Sequence, residues 1–478
     1  MIRTSLWCSA LLLAVSGVAA AQSIEPYAPQ PLGPPTSLAI QADGKTIIVG
    51  SFLSVNGATY GRVARLNLDG SVDATFSDPD VDSEVKAVAV QPDGKLLIGG
   101  GFDTVAGQPR HYLARLNDDG TLDTGFADPN LDGNVWAIAV QPDGKVLAGG
   151  DFTHVGTTAQ NYFARFEANG TFDTSFPDPQ LCCIPVRAVA LQSNGDVLIG
   201  GYFSQAGGIT HFNLARYSGD GVFDPSFPDI PGSTPITGLA LLAAPDDSVY
   251  VSGASDDPVV KLHADGTLDA TFVSAAADSG ISGMLLQPNG KVLIGGIFEQ
   301  VGGQPRHALA RLNADGTLDA SFGDLQFSFD ATNPNGYIYG LAAQADGRAI
   351  AIGNFTLADG QPRQYMARVA TGDFATSELV VVGNGATSSA TWYRLGDGPE
   401  LTQAPVLQSS TDGTTFATVA TMTRVANGWH ATLNKDVHGP LFYLRALGTT
   451  SDGTGNGSRG QVASEAYTND TIFHGDFE

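Results

Sequence analysis

The sequence predicts an all-β protein: a seven-bladed β-propeller closed by an N-terminal strand, followed by a small β-sandwich domain. Three observations support this expectation. A unit of about fifty residues recurs through most of the chain, each unit reads as four short strands joined by Asp-Gly turns, and the period stops near residue 376. A four-stranded repeat of that length is a signature of propeller blades rather than of helical solenoids.

In chain order, residues 1–21 carry one positive charge at Arg3, an apolar run from Leu6 to Val18 and the small residues Ala19 to Ala21. This is the pattern of a secretory signal peptide. No later stretch is long and apolar enough to span a bilayer, so the expected location is outside the cytoplasm: periplasmic, cell-surface or secreted.

The repeat is seen in Ala87 to Phe126, AVAVQPDGKLLIGGGFDTVAGQPRHYLARLNDDGTLDTGF. Apolar alternation or short apolar runs place strands at Val85 to Val90, Lys95 to Phe102, Tyr112 to Leu116 and Thr121 to Phe126. Asp93-Gly94 and Asp119-Gly120 supply the positive φ angles that tight hairpins need. The glycine of the second hairpin recurs as Gly70, Gly120, Gly170, Gly221, Gly266, Gly316 and, more weakly, Gly372, which gives seven copies. The first strand of each copy is small and uncharged over most of its length, which suits the innermost position.

The seventh copy lacks its fourth strand. The missing piece is expected from Ser23 to Pro29, whose pattern resembles Thr121 to Asp128, so the N-terminus would close the ring and cover an otherwise exposed sheet edge. A second regularity fits that alignment. A base in the third strand precedes an aspartate by eight positions: Arg65 and Asp73, Arg115 and Asp123, Arg165 and Asp173, Arg216 and Asp224, Lys261 and Asp269, Arg311 and Asp319. Across a hairpin that spacing sets the two side chains opposite each other as a structural pair. In the seventh copy Arg368 is left to pair with Glu25.

The formal charge is 24 − 49 = −25, which disfavours nucleic acid as a partner. The adjacent Cys182 and Cys183 follow the third copy, where an export compartment permits a disulfide and two buried thiols are the alternative.

With the Asp-Gly hairpins on one face, the longer connections lie on the other, the expected working surface. It receives Arg110 and His111, His211, Arg306 and His307, and Arg363, a set that could hold a carboxylate or an anionic sugar, or that anchors its own loops. The fifth copy, from Gly253 to Leu262, has a shorter loop and would notch the rim. Asp128, Asn130 and Asp132 match the start of a calcium loop, but Ala139 stands where a bidentate Glu is required. Calcium is therefore a candidate, and no cofactor is firmly implied. Nucleophile-elbow and zinc-helix motifs are missing from the sequence.

Residues 378–467 read as seven or so short strands, the spacing of a small β-sandwich. Ser409 to Phe416 is close to the Asp-box turn of sialidases, a structural hairpin device; Trp392 and Trp429 suit a core better than a sugar platform. Residues 468–478 form a tail, disordered or a recognition tag for export.

The units QPDGKLLIGGGF and LARLNDDGTLDTGF, recurring in register over roughly residues 36 to 376, resemble the bacterial delta-60 repeat family. The resemblance implies a β-propeller exported by a Gram-negative bacterium and supplies no catalytic residues. The expected function is that of a monomeric, non-catalytic binding or scaffold protein whose long-loop face holds a protein or glycan. The alternative is an extracytoplasmic hydrolase or lyase in the channel mouth, with calcium as its candidate cofactor.

Overall fold

The computed structural model describes residues 22–182, 185–230, 240–252, 259–330, 335–372, 376–383, 388–395, 401, 404–410, 416–425, 428–433, 442–451 and 459–468. Residues 1–21, read above as a signal peptide, Cys183, residues 253–258, Asp412, Gly413 and residues 469–478 lie outside the described residues. Among the described residues all regular structure is β.

Each repeat builds a sheet in which first, second and third strands lie side by side. In one copy these are Val85–Val90, Leu96–Gly100 and Leu113–Leu116, paired antiparallel. Gly94 and Gly120 both adopt positive φ, 87° and 85°. At Gly120 a second constraint applies, since an added Cβ would lie 2.3 Å from the Ser77 carbonyl oxygen. That turn is therefore closed to side chains by packing as well as by dihedral angle.

The predicted fourth strand needs correction. Thr121 to Phe126 pairs with the third strand through one bridge, Leu116 with Leu122, and then turns away. The cause is Asp123. Its Oδ1 accepts the Gly125 N–H at 2.9 Å, and its carbonyl accepts the Phe126 N–H at 3.2 Å, a local turn that competes with the ladder. The turn delivers Phe126 into the core, where it is fully buried.

The connection between second and third strands is also more ordered than a loop. Thr104–Val105 and Gln108–Pro109 form a miniature hairpin, with Ala106 and Gly107 at φ 51° and 67°. Two successive positive φ angles are the geometry of a two-residue hairpin turn, and Asn56-Gly57 occupies the same place in the first copy. The incoming connection braces it through the bridge Val81 to Val105.

First strands of successive sheets pack on one another while the third strands do not, so the sheets converge along their first strands. The core fills the wedges between neighbours: one cluster joins Ala39, Ile47 and Val63 to Val85, Val88 and Phe102. Tyr337–Ala343 packs beside Pro35–Ile40. Ser23–Ile24 pairs antiparallel with Met366–Ala370, in the register Ser23 to Ala370 and Ile24 to Val369.

Beyond residue 376 two groups of strands share one core. Thr376–Gly383, Ser388–Leu395, Gly428–Leu433 and Thr423–Val425 form one; Arg459–Thr468, Phe442–Ser451, Val406–Ser410 and Ala417–Thr421 form the other. Leu379, Trp392 and Trp429 from the first meet Leu407 and Leu444 from the second. Both tryptophans are buried and offer no platform to a sugar. A single parallel bridge from Arg459 to Ala89 ties the second group to a first strand of the repeats.

Candidate functional site

Among the described residues no hydrogen bond or ion pair joins the arginines and histidines of the long connections to one another; each braces its own repeat. Nη1 of Arg110, Arg306 and Arg363 donates to the carbonyl of the proline before it, at 2.7 Å in all three. Arg363 also donates to the Glu25 carbonyl at 2.7 Å. His111 Nδ1 lies 2.7 Å from Asp128 Oδ2, and His307 Nδ1 lies 2.6 Å from Asp324 Oδ2. His211 is buried, with Nδ1 3.2 Å from Asp229 Oδ1 and its ring edge-on to Phe223.

The calcium-like loop is occupied in the same way. Asp128 Oδ1 accepts the N–H groups of His111 and Asn130. Asp132 accepts from the backbone of Thr153 and His154 and from the Thr153 hydroxyl. Burial raises the Asp132 pKa, but these hydrogen bonds outweigh it and bring it down to about 2. Asn130 sits at φ 52° and offers its carbonyl to Gly156 N–H. Among the described residues no group of three or more His, Cys, Asp or Glu is arranged to hold a metal ion. Cys182 is disulfide-bonded.

The base–aspartate pairs are in contact: Nε of Arg65, Arg115, Arg165, Arg216 and Arg311 lies 2.7–2.9 Å from Asp73, Asp123, Asp173, Asp224 and Asp319. Lys261 lies 3.3 Å from Asp269, and Arg368 2.9 Å from Glu25. Sequence reasoning missed a third member. Lys45, Lys95, Lys145 and Lys291, each directly after a turn glycine, reach the same aspartates at 2.7–2.9 Å. Each arginine also lies over an aromatic ring, as Arg115 does over Phe126 at 4.9 Å. Its Nη1 then crosses to the next repeat, Arg115 reaching the Ala168 carbonyl at 2.6 Å. These are structural staples between repeats.

The surface best suited to recognition lies elsewhere. In six first strands the register slips by one residue at the same place, and the slipped residues are Thr36, Lys86, Trp136, Arg187, Ser282 and Tyr339. A β-bulge re-aims its side chain out of the ladder, and all six are partly exposed at the inner edge, beside the long connections. Thr36 and Ser282 bond across to the next first strand, at Val85 O and Ile338 O, 2.7 and 3.0 Å away.

Lys86, Trp136 and Arg187 come from three successive repeats. The Lys86 ammonium lies 4.1 Å and the Arg187 guanidinium 3.7 Å from the Trp136 ring centroid, so cations from both neighbouring repeats meet one indole. The Trp136 Nε1–H donates to Asp151 Oδ2 at 3.2 Å, and Asn134 donates to the same carboxylate. Lys86 also pairs with Glu84. The rings of Tyr337 and Tyr339 meet edge to face at 4.6 Å on the corresponding strand of the last repeat. A signal for this site was present in the sequence: the second position of the first strand varies among Thr, Lys, Trp, Arg, Ser and Tyr, while the positions after it stay small and apolar.

Six stretches, 41–76, 91–126, 141–176, 192–227, 243–272 and 287–322, match a family model described as a β-propeller "domain of unknown function (DUF5122)". The chain thus carries β-propeller repeats. No curated protein matches the sequence. Among solved structures, virginiamycin B lyase from Staphylococcus aureus is 10% identical, with 73% of this chain and 99% of that chain covered and a TM-score of 0.43. YCF48 from Cyanidioschyzon merolae is 13% identical, over 71% and 98%, with a TM-score of 0.43. A calcium-binding protein, regucalcin, from Agrobacterium tumefaciens is 12% identical, over 61% and 90%, with a TM-score of 0.34.

Proposed function

We propose that the repeats form a seven-bladed propeller over residues 22–376, closed by the N-terminal strand, in an exported, non-catalytic binding protein. Residues 1–21 are its signal peptide, 378–467 a β-sandwich domain and 468–478 a tail. Closure draws support from the pairing of Ser23–Ile24 with Met366–Ala370 and from the packing of the first and last inner strands. The working surface is the end of the propeller where the long connections gather, and its partner is a glycan.

The observation that carries this reading is the bulged ring, which turns Trp136, Tyr339, Lys86 and Arg187 toward one inner edge. Aromatic rings with a few polar groups suit recognition of a sugar, whose apolar ring face packs on an aromatic and whose hydroxyls seek donors and acceptors. A lyase asks for a base, whereas the glycoside-hydrolase form of the enzyme alternative asks for a carboxyl group held protonated near neutral pH. The displaced aspartates Asp73, Asp123, Asp128, Asp132, Asp173 and Asp319 all move the other way.

A thermal-shift screen of the full chain against soluble glycans, neutral and acidic, tests the proposal, since a ligand that binds only the folded state raises its melting temperature. The expected result is a shift that Trp136→Ala abolishes, with the glycan recovered intact by chromatography. Cleaved glycan would establish the enzyme alternative. No shift with any glycan would refute a glycan partner.

A further inference from the structure

We infer that Arg187 receives a carboxylate, so that the ligand of the inner edge is an oligosaccharide bearing uronic acid. This rests on the glycan-binding reading above and names its ligand class. Among the described residues Arg187 has no carboxylate in ion-pair contact and no hydrogen-bond partner, and its Nε is buried. The third-strand arginines Arg65, Arg115, Arg165, Arg216, Arg311 and Arg368 are each bonded to an aspartate or glutamate, and Arg110, Arg306 and Arg363, whose Nε atoms are also buried without a partner, spend Nη1 on a prolyl carbonyl; Arg187 does neither.

The arginine is also held in place. Its guanidinium stacks on Trp136 at 3.7 Å, Trp136 is fixed by Asp151, and Asp151 is fixed by Asn134. Burial pushes the Arg187 pKa down, against the attraction of Tyr202 and Asp151, but guanidinium remains charged at any physiological pH. A planar, pre-oriented fork with its donors unused matches the two oxygens of a carboxylate.

Two features favour a uronic sugar over an acidic peptide. Lys86 is already paired with Glu84, so among the described residues Arg187 is the one cation on this indole without a carboxylate in ion-pair contact, which suits one carboxylate rather than a run of them. The partly exposed Trp136 ring beside Arg187 supplies aromatic surface for a pyranose ring next to that carboxylate.

The test is calorimetric titration of the full chain with a trisaccharide bearing one galacturonic acid between two neutral galactose residues and with its methyl ester, which keeps the sugar rings and removes the charge. The acid is expected to bind at least about tenfold more tightly than the ester, since hydrogen bonds to a charged group are worth that much. The acid's advantage should shrink as salt rises. Arg187→Gln should bring the acid down to the ester's affinity while the melting temperature stays within a few degrees of the parent. Equal binding of acid and ester overturns the carboxylate assignment and leaves the glycan reading standing. Failure of the acid to bind overturns the inference, and capture of a glutamate-rich peptide in its place points to a protein partner. The acid–ester comparison on the parent chain decides the matter even if the variant does not fold.

Discussion

The recurring aspartates show how one side chain joins three parts of a repeat. Asp123 accepts from Lys95 after the first hairpin, from Arg115 in the third strand and from the Gly125 N–H in its own turn. Burial raises its pKa, but those donors outweigh the effect and lower it from 3.8 to about 2. Asp73, Asp173 and Asp319 are lowered further, for the same reasons with a Thr or Ser hydroxyl added. A carboxylate with a depressed folded-state pKa stabilises the fold above its unfolded pKa, and that contribution is lost as pH falls through the folded value. Stability is therefore expected to be flat with respect to these groups above about pH 4 and to fall steeply between about pH 4 and pH 2. Urea melts at stepped pH would measure it; a decline beginning near neutrality would assign acid sensitivity to other groups. The partner Arg–Asp spacing was legible in the sequence because both residues flank one hairpin. The lysine, 28 residues from its aspartate, was not, since only the pairing of second and third strands brings it near.

At the scale of the element, the first strand is the one whose irregularity matters. Its bulge requires a glycine on the neighbouring strand: at Gly150 an added Cβ would sit 2.0 Å from the Asn134 carbonyl oxygen, and at Gly100 2.2 Å from that of Glu84. Gly150→Ala must move the bulged backbone, and overpacking of that kind costs about 1–3 kcal/mol. Because Trp136 is the bulged residue beside Asn134, the same substitution should alter its fluorescence. Loss of stability with an unchanged tryptophan spectrum would separate the glycine from the site. The hairpin turns were readable from Asp-Gly alone. The bulge was not readable from a single copy, because nothing within VWAIAV distinguishes a residue turned out of the ladder from one retained in it; only comparison of the copies singles out the varying position.

For the whole molecule, the chain ends matter most. Tyr27 is fully buried with the Arg368 guanidinium 4.8 Å from its ring, the place that Phe126 takes beside Arg115. Glu25 bonds to both Arg348 and Arg368, and Arg368 continues to the Leu68 carbonyl in the first repeat. Removal of residues 22–28 would leave Arg368 without its carboxylate, leave Arg348 with Asp346 alone and open the Tyr27 cavity, at a cost of about 3 kcal/mol or more. Denaturant unfolding of the truncated chain should show that loss in a single transition. Unchanged stability would reject closure by the N-terminal strand.

The sequence by itself determined the repeat, its strand order, its turns and the partners of its third-strand arginines, because those depend on side-chain period, glycine dihedrals and contacts across a single hairpin. It also led to the match between Glu25 and Arg368, since a missing segment can be sought by pattern elsewhere in the chain. Tertiary structure alone decided which polar residues meet. It separated Arg110, His211, Arg306 and Arg363 into local braces and turned the calcium-like aspartates onto neighbouring loops. It brought Lys86, Trp136 and Arg187, some fifty residues apart in turn, to one inner edge. The physical reason is that a β-bulge and the angle between adjacent sheets set side-chain direction, and neither leaves a period in the sequence.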